Sequence, residues 1–123
     1  MRVKVLVVDD QKPFQLVAST VVEATDEFEV AGVAGSGEDA VELARALHPD
    51  LVLMDVNLPG INGTEATRLV LAEAPGTVVL LLSTYEAAEY DPKASECGAV
   101  RYVPKSEFGP ETLVEAWAAA GSR

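Results

Sequence analysis

The stretch Leu51-Val52-Leu53-Met54-Asp55 consists of four consecutive apolar residues followed by an acidic one. A short, continuous apolar run is typical of a parallel strand that helices cover on both faces. The segment from Val3 to Val8 has a similar form, and it also runs directly into acidic residues, Asp9 and Asp10. These stretches predict two buried parallel strands, each with carboxylates at its carboxyl end.

Strand-like runs alternate with stretches of helical periodicity along the chain, which predicts βαβ units around a parallel sheet. The predicted strands are Val3 to Val8, Phe28 to Ala34, Leu51 to Met54, Val78 to Leu82 and Val100 to Val103. The predicted helices follow Pro13, begin at Ser36, run from Gly63 to Ala74, run from Pro92 to Cys97 and start near Pro110. We therefore expect an α/β fold with a single, doubly wound, five-stranded parallel sheet and five helices.

Apolar residues spaced three and four apart indicate which side of each helix packs against the sheet. This spacing includes Val17 in the first helix and Leu69 in the third, so both side chains are expected to face the core. Ser36 is expected to cap the second helix, with Asp39 at the reciprocal capping position. His48, the only histidine, precedes a proline and is expected at a helix end or in a loop rather than in a phosphocarrier role.

Length and composition indicate one soluble domain. The 123 residues suffice for one core, so residues 1–120 are expected to form the domain and residues 121–123 a frayed end, a linker start or a cut boundary. A net charge of -11 would repel the backbone of a nucleic acid. The apolar runs are too short to span a membrane, and no secretory signal is recognisable, so we expect a cytoplasmic location without membrane or nucleic-acid binding.

Polar residues follow the predicted strands at the edge of the sheet where ligands bind in doubly wound folds. They are Asp9, Asp10, Asp55, Ser83, Thr84 and Lys105. Three clustered carboxylates would repel one another without a cation, and an all-oxygen ligand set favours a hard ion such as Mg²⁺. With that charge shielded, a carboxylate can attack a phosphoryl group, while a lysine and a hydroxyl contact its oxygens. Each residue alone has a simpler reading as a cap or a solvated side chain, but the combined set predicts phosphoryl transfer.

Four stretches together resemble the receiver domain of two-component response regulators, and the resemblance covers essentially the whole chain. The matching stretches are Val7 to Asp10, Leu53 to Gly60, Leu82 to Thr84 and Gly98 to Lys105. The resemblance implies the flavodoxin-like receiver fold with strand order 2-1-3-4-5. It also implies that the domain accepts a phosphoryl group from a sensor histidine kinase or phosphotransfer protein and signals by a conformational change.

By this resemblance Asp55 is the phosphoacceptor, in a reaction that requires Mg²⁺ or Mn²⁺. Asp10 is expected to bind the metal directly, together with Asp55, and Asp9 is a nearby carboxylate that often acts through water. Asn57 is expected to contribute its backbone carbonyl to the same ion.

The resemblance also assigns Ser83 and Lys105 to the phosphoryl group and makes Ser83 and Tyr102 the switch pair. Tyr102 has an equally good reading as a half-buried strand aromatic. Ser106 follows Lys105 where many relatives have a proline with a cis bond, and we expect a trans bond here because a non-proline cis bond is costly.

The output of the domain is predicted only by analogy. The end of the fourth strand, Leu-Ser-Thr-Tyr, resembles regulators that carry LuxR-type DNA-binding domains, so an effector domain outside this chain and control of transcription are expected. Dimerisation on phosphorylation is common among similar proteins, so a homodimer is a further expectation. Pro92 disturbs the fourth helix, which belongs to the usual output face.

Two other functions remain open from the residues alone. An adaptor could act by protein contact without phosphorylation, although the retained Asp55 and Lys105 argue against it. A metal-dependent phosphatase would need a further acid or base, and Asp55-Val56-Asn57 offers no second carboxylate two residues on. We therefore expect a domain that catalyses its own modification rather than a turnover enzyme.

Overall fold

A computed structural model of the chain describes residues 2–84 and 97–121. The strands are β1 (Val3–Val8), β2 (Phe28–Ala34), β3 (Leu51–Asp55), β4 (Val78–Ser83) and β5 (Arg101–Pro104). The helices are α1 (Lys12–Ala24), α2 (Gly37–Leu47), α3 (Gly63–Glu73) and α4 (Pro110–Gly121), and a short 3-10 helix spans Lys105–Glu107. The helix predicted to begin at Pro92 lies outside the described residues. Within residues 2–84 and 97–121, every helix is too short or too polar to cross a membrane.

All five strands are parallel and lie in the order β2-β1-β3-β4-β5, which confirms the expected topology. The carboxyl edge of the sheet, where all five strands end, therefore gathers residues that are distant in the sequence. β1 and β3 are neighbours, with Val8 paired to Met54. The residues that come next, Asp9 and Asp55, are consequently placed side by side.

Two hydrophobic cores cover the two faces of the sheet. Along β1, Val5 and Val7 enter the core beneath α1 and α4, whereas Leu6 and Val8 enter the core beneath α2 and α3. We call these the α1/α4 core and the α2/α3 core. Because side chains alternate between faces and both faces are covered, every position in the middle of the strand must be apolar. This double burial accounts for the continuous apolar runs in the sequence.

Several element bounds differ from those predicted. β3 and β4 are each one residue longer, so Asp55 and Ser83 end their strands instead of following them, and β5 is shifted by one residue. The buried orientation predicted for Val17 and Leu69 is wrong, since they are 49% and 40% exposed. Each lies at the margin of its apolar stripe, about 100° around the helix from a buried neighbour, which is Ala18 for Val17 and Val70 for Leu69. The Lys105–Ser106 peptide bond is trans, as expected.

The ends of α2 agree with the sequence. The Ser36 hydroxyl accepts a hydrogen bond from the Asp39 backbone N–H at 3.1 Å and so caps the helix. His48 ends the helix in the left-handed region, with φ of 49°, and its N–H donates to the Ala44 carbonyl. The helix-end role predicted for His48 is confirmed.

Candidate functional site

Asp9 follows β1 and is held firmly by the start of α1. Its carboxylate is buried, and Oδ1 accepts a hydrogen bond from the Gln11 backbone N–H at 2.8 Å. The Gln15 side-chain amide donates to the Asp9 carbonyl oxygen at 2.6 Å. Asp10, the next residue, is exposed to solvent. The turn into α1 therefore fixes one carboxylate inside the protein and leaves the other at the surface.

Asp55 ends β3 and is also buried. The Asn57 backbone N–H donates to Asp55 Oδ1 at 3.2 Å. A Cβ atom at Gly63 would collide with the Asp55 carbonyl oxygen, so α3 can begin against the phosphoacceptor candidate only with glycine there. The backbone around Asp55 is thus packed closely on the α3 side.

The loop between Asp55 and α3 is also held from α2. The carboxylate of Glu38, in the first turn of α2, accepts a hydrogen bond from the Ile61 backbone N–H at 3.1 Å. Gly60 lies beneath that carboxylate with φ of +75°, and a Cβ atom there would come within 2.5 Å of both carboxylate oxygens. The position of this loop therefore depends on a glycine and on one contact from α2.

Lys105 follows β5 and places its ammonium group between the two buried carboxylates. Its Nζ lies 2.5 Å from Asp9 Oδ2 and 3.4 Å from Asp55 Oδ2. The closer contact is ionic without hydrogen-bond geometry, so the buried Asp9 Oδ2 has no hydrogen-bond partner among the described residues. The aromatic ring of Phe14 covers the ammonium group on another side, with 4.7 Å between Nζ and the ring centroid.

Burial and the nearby Asp9 carboxylate raise the pKa of Asp55 to about 6. Burial has the larger effect, because it removes the water that would stabilise the charged form. The ammonium group of Lys105 and the Asn57 N–H oppose the rise without cancelling it. Ionised Asp55 is consequently less stable here than in water, and a bound cation would relieve this destabilisation.

The arrangement fits a hard divalent metal ion. Asp9, Asp10 and Asp55 each offer a carboxylate oxygen, and these three atoms lie within 4.8 Å of one another. The buried Asp9 Oδ2, which accepts no hydrogen bond from the described part of the chain, is a natural ligand or water acceptor for such an ion. An open depression beside this cluster is lined by Asp10, Gln11, Asp55, Asn57, Thr84 and Lys105.

The family model for the response regulator receiver domain matches residues 5–118. The chain belongs to this family. The general function of receiver domains is phosphorylation on an aspartate and signalling, and they bind Mg²⁺ at an acidic pocket. This receiver domain has a cluster of three aspartates, Asp9, Asp10 and Asp55, at the carboxyl edge of its sheet.

Curated relatives of this receiver domain are longer proteins. The response regulator GacA of Pseudomonas aeruginosa is 39% identical over 114 residues, which cover 93% of this chain and 53% of GacA. The protein-glutamate methylesterase/protein-glutamine glutaminase 1 of Saccharophagus degradans is 37% identical over 107 residues, covering 86% and 29%. The chain therefore spans about half or less of the length of these relatives.

Solved receiver structures have the same fold. The response regulator domain of Thermotoga maritima CheB superposes with a TM-score of 0.86 at 31% identity and covers 98% of both chains. The receiver domain of the response regulator NarL from Mycobacterium tuberculosis gives the same TM-score at 28% identity, covering 99% of this chain and 98% of that one.

The receiver fold gathers most of the predicted site residues at the carboxyl edge. Ser83 is buried at the end of β4 and pairs with Pro104, which places it beside the residue preceding Lys105. Tyr102 is half-buried and packs against the α2/α3 core, two positions before Pro104. The functional roles of Ser83 and Tyr102 remain predictions.

Sequence reasoning missed the part that α1 plays in the site. Gln11 and Gln15 donate hydrogen bonds to Asp9, and the Phe14 ring contacts Lys105. None of these three residues was predicted to belong to the site. Phe14 is spaced three and four residues from Val17 and Ala18, so it belongs to the apolar stripe of α1. Periodicity within one helix carries no information about a lysine that follows β5.

Proposed function

We propose that this receiver domain takes a phosphoryl group onto Asp55 from a sensor histidine kinase or a phosphotransfer protein. One observation carries the proposal. Among the described residues the buried carboxylates are Asp9 and Asp55, and of these Asp55 lines the open depression that Lys105 also lines. Asp55 thus combines access for a donor with a neighbouring ammonium group.

The chemistry follows from the protonation state of Asp55. Above a pH of about 6 the side chain is mainly a carboxylate, which is the form that can attack phosphorus. A bond forms between phosphorus and an Asp55 oxygen while the bond to the donor histidine nitrogen breaks, and that nitrogen keeps the electron pair. Lys105 lies close enough to Asp55 to contact an oxygen of the transferred group, and Ser83 is proposed to contact another.

The metal would be Mg²⁺ or Mn²⁺, held by carboxylates of Asp9, Asp10 and Asp55 and by the backbone carbonyl of Asn57. When bound, the ion supplies positive charge that stabilises the phosphoryl oxygens during transfer. The contribution of this chain is to hold the carboxylates together before the ion arrives, through the hydrogen bonds to Asp9 and Asp55.

Phosphorylation is proposed to act by shifting a population between two arrangements. A phosphoryl group on Asp55 would attract Lys105 away from Asp9 and draw the Ser83 hydroxyl towards it. Tyr102 packs on the α2/α3 core near the end of β5. Its ring would move when Ser83 moves, and this movement would alter the surface around β5. This surface would pass the signal to a second copy or to an effector domain.

The biological setting is proposed from the relatives. Residues 1–120 would form a cytoplasmic receiver domain and residues 121–123 a linker or chain end, with an effector domain outside this chain controlling transcription. The similarity to the transcriptional regulatory protein DegU of Brevibacillus brevis, 35% identical over a match that covers 48% of DegU, supports this setting. The domain would modify itself rather than turn over a substrate, and it would bind neither nucleic acid nor membrane.

Intact-mass spectrometry tests the proposal directly. The wild type, incubated with Mg²⁺ and phosphoramidate or acetyl phosphate, should gain one phosphoryl group, and Asp55→Asn should gain none. Asp50→Asn is the matched control, because it changes an aspartate at the opposite end of the same strand and should retain the adduct. An unmodified wild type that also shows no metal-dependent binding of beryllofluoride would instead identify an adaptor that acts by protein contact.

A further inference from the structure

The contact between Phe14 and Lys105 joins two elements that are far apart in the sequence. Phe14 lies in the first turn of α1, and Lys105 begins the 3-10 helix after β5. The ammonium nitrogen lies 4.7 Å from the centroid of the Phe14 ring, within the range of about 6 Å for a cation-π interaction. The Phe14 ring also packs against the Phe108 ring, with 6.2 Å between the centroids and 56° between the ring planes. The Phe14 ring is therefore held by a second aromatic ring while it contacts the ammonium group.

The ammonium group of a lysine has no fixed position unless neighbouring groups restrict it. It is carried on a flexible chain of four carbons, and it is strongly hydrated in water. Here the side chain is only 11% exposed, with carboxylates on one side and the Phe14 ring on another. The ring limits both the approach of water and the number of directions in which the ammonium group can point.

The chemical nature of the ring suits a group that must exchange partners. An ammonium group has three N–H donors, and a carbonyl or carboxylate at the position of Phe14 would occupy one of them. An aromatic face attracts the charge without a directional hydrogen bond. The donors stay available for Asp9, for Asp55 and for an incoming phosphoryl oxygen, and the ammonium group can move across the ring without losing the attraction.

We propose that Phe14 is a positioning residue for Lys105, whose ammonium group it holds between Asp9 and Asp55 by contact with the aromatic face. The proposal rests on the proposed function, since it assumes that Lys105 contacts the phosphoryl group. It predicts that an aromatic ring at position 14, rather than apolar volume alone, is required for rapid phosphorylation.

Three variants separate this role from simple packing. Phe14→Leu keeps an apolar side chain and removes the ring, whereas Phe14→Tyr keeps the ring. Phe28→Leu is the matched control, because Phe28 packs in the same α1/α4 core and also contacts a second aromatic ring, Trp117, at 6.5 Å. Phe28 is the first residue of β2, and β2 and β5 are the two outer strands of the sheet. Phe28 is therefore far from Lys105, which follows β5.

The first measurement is the NMR chemical shift of the Lys105 ε-methylene protons in the metal-free protein. The aromatic ring should shift these resonances upfield in the wild type, in Phe14→Tyr and in Phe28→Leu, and the shift should disappear in Phe14→Leu. The second is the initial rate of phosphorylation by phosphoramidate at saturating Mg²⁺. We expect the rate of Phe14→Leu to fall by about threefold to tenfold, and the other two variants to stay within about twofold of the wild type.

Equal rates for Phe14→Leu and Phe28→Leu, or a Phe14→Tyr variant as slow as Phe14→Leu, would overturn the proposal. An unshifted Lys105 methylene in the wild type would also overturn it. If the wild type takes up no phosphoryl group, the proposed function fails, and the chemical shifts still decide whether Phe14 holds Lys105. Urea unfolding of Phe14→Leu and Phe28→Leu shows whether they lose similar stability, so that a difference in rate cannot reflect unfolding.

Discussion

An aspartate lies at each end of β3, but the two carboxylates have different environments. Asp50, just before the strand, binds its neighbours through the backbone and the side chain. Its N–H donates to the Lys4 carbonyl at 2.8 Å, its Oδ2 accepts from the Lys4 N–H at 2.9 Å, and its carbonyl accepts from the Val78 N–H at 3.0 Å. Asp55, at the other end, is buried beside the Asp9 carboxylate, and its pKa is raised to about 6.

This contrast shows how the sheet separates stability from chemistry. At the amino edge, the Asp50 carboxylate receives a backbone hydrogen bond, and the residue links β1, β3 and β4. At the carboxyl edge, two buried carboxylates lie together with the Lys105 ammonium group between them. The Asp50 carboxylate at the amino edge has a hydrogen-bond donor, whereas the carboxyl edge holds two buried like charges close together. Such an unfavourable arrangement is expected at a site that binds a ligand.

The contrast predicts first that Asp55→Asn stabilises the metal-free protein. A carboxyl group with a raised pKa in the folded state favours folding at low pH and loses that contribution as the pH rises through about 6. At about pH 8 with EDTA, we expect the variant to have a free energy of unfolding about 2 to 3 kcal/mol higher than the wild type. Urea titrations give this difference directly.

The same titrations at lower pH provide the internal control. Asp55 takes up a proton between about pH 6 and pH 4, so the difference between wild type and Asp55→Asn should narrow over that range. Asp10→Asn removes an equal charge from an exposed position and should have a smaller effect. If Asp55→Asn is less stable than the wild type at pH 8, the ionised carboxylate does not destabilise the carboxyl edge.

At the amino edge the corresponding change should destabilise the protein. Asp50→Ala leaves the Lys4 N–H without its acceptor and is expected to lower the free energy of unfolding by about 1 to 2 kcal/mol. Asp50→Asn keeps an acceptor oxygen and should lose less. Urea unfolding in EDTA measures both, and equal losses in the two variants would show that the hydrogen bond is unimportant.

Mg²⁺ should stabilise the protein through the carboxyl edge alone. A ligand at ten times its dissociation constant raises the free energy of unfolding by about 1.4 kcal/mol if it binds only the folded state. We expect this gain in the wild type and in Asp50→Asn, and its loss in Asp10→Asn, when unfolding is measured with Mg²⁺ and with EDTA. A gain retained by Asp10→Asn would remove Asp10 from the set of metal ligands.

The smallest expected effect concerns the loop between Asp55 and α3. Glu38→Ala removes the acceptor for the Ile61 N–H and should lower stability by about 0.5 kcal/mol, because the bond is exposed to solvent. Asp39→Ala is the matched control, since it removes the same charge from the same helical turn. Hydrogen exchange of the Ile61 amide should accelerate in Glu38→Ala alone, and equal acceleration in both variants would indicate an effect of helix charge.

The sequence predicts the sheet well because each central strand is buried on both faces. This double burial requires uninterrupted apolar runs such as Leu51 to Met54, which a strand with one solvated face would not need. The same runs locate Asp9, Asp55 and Lys105, since each follows or ends a strand whose carboxyl end must lie at one edge.

Other features depend on packing between elements and escape the sequence. Val17 and Leu69 have the correct spacing for burial, but the tilt of each helix on the sheet decides which side of its stripe is covered. The contact between Phe14 and Lys105 needs α1 and the segment after β5 to meet, and no local pattern encodes that meeting. Sequence reasoning therefore identifies the reacting groups more readily than the groups that hold them.

The position of Lys105 after the last strand has a consequence during synthesis. A ribosome releases the carboxylates of β1 and β3 long before β5, so an incomplete chain contains the acidic cluster without its ammonium partner. Such a chain has no lysine at this site to balance the charge or to contact a phosphoryl oxygen. On the proposed role of Lys105, phosphorylation of Asp55 would therefore await the translation and pairing of β5.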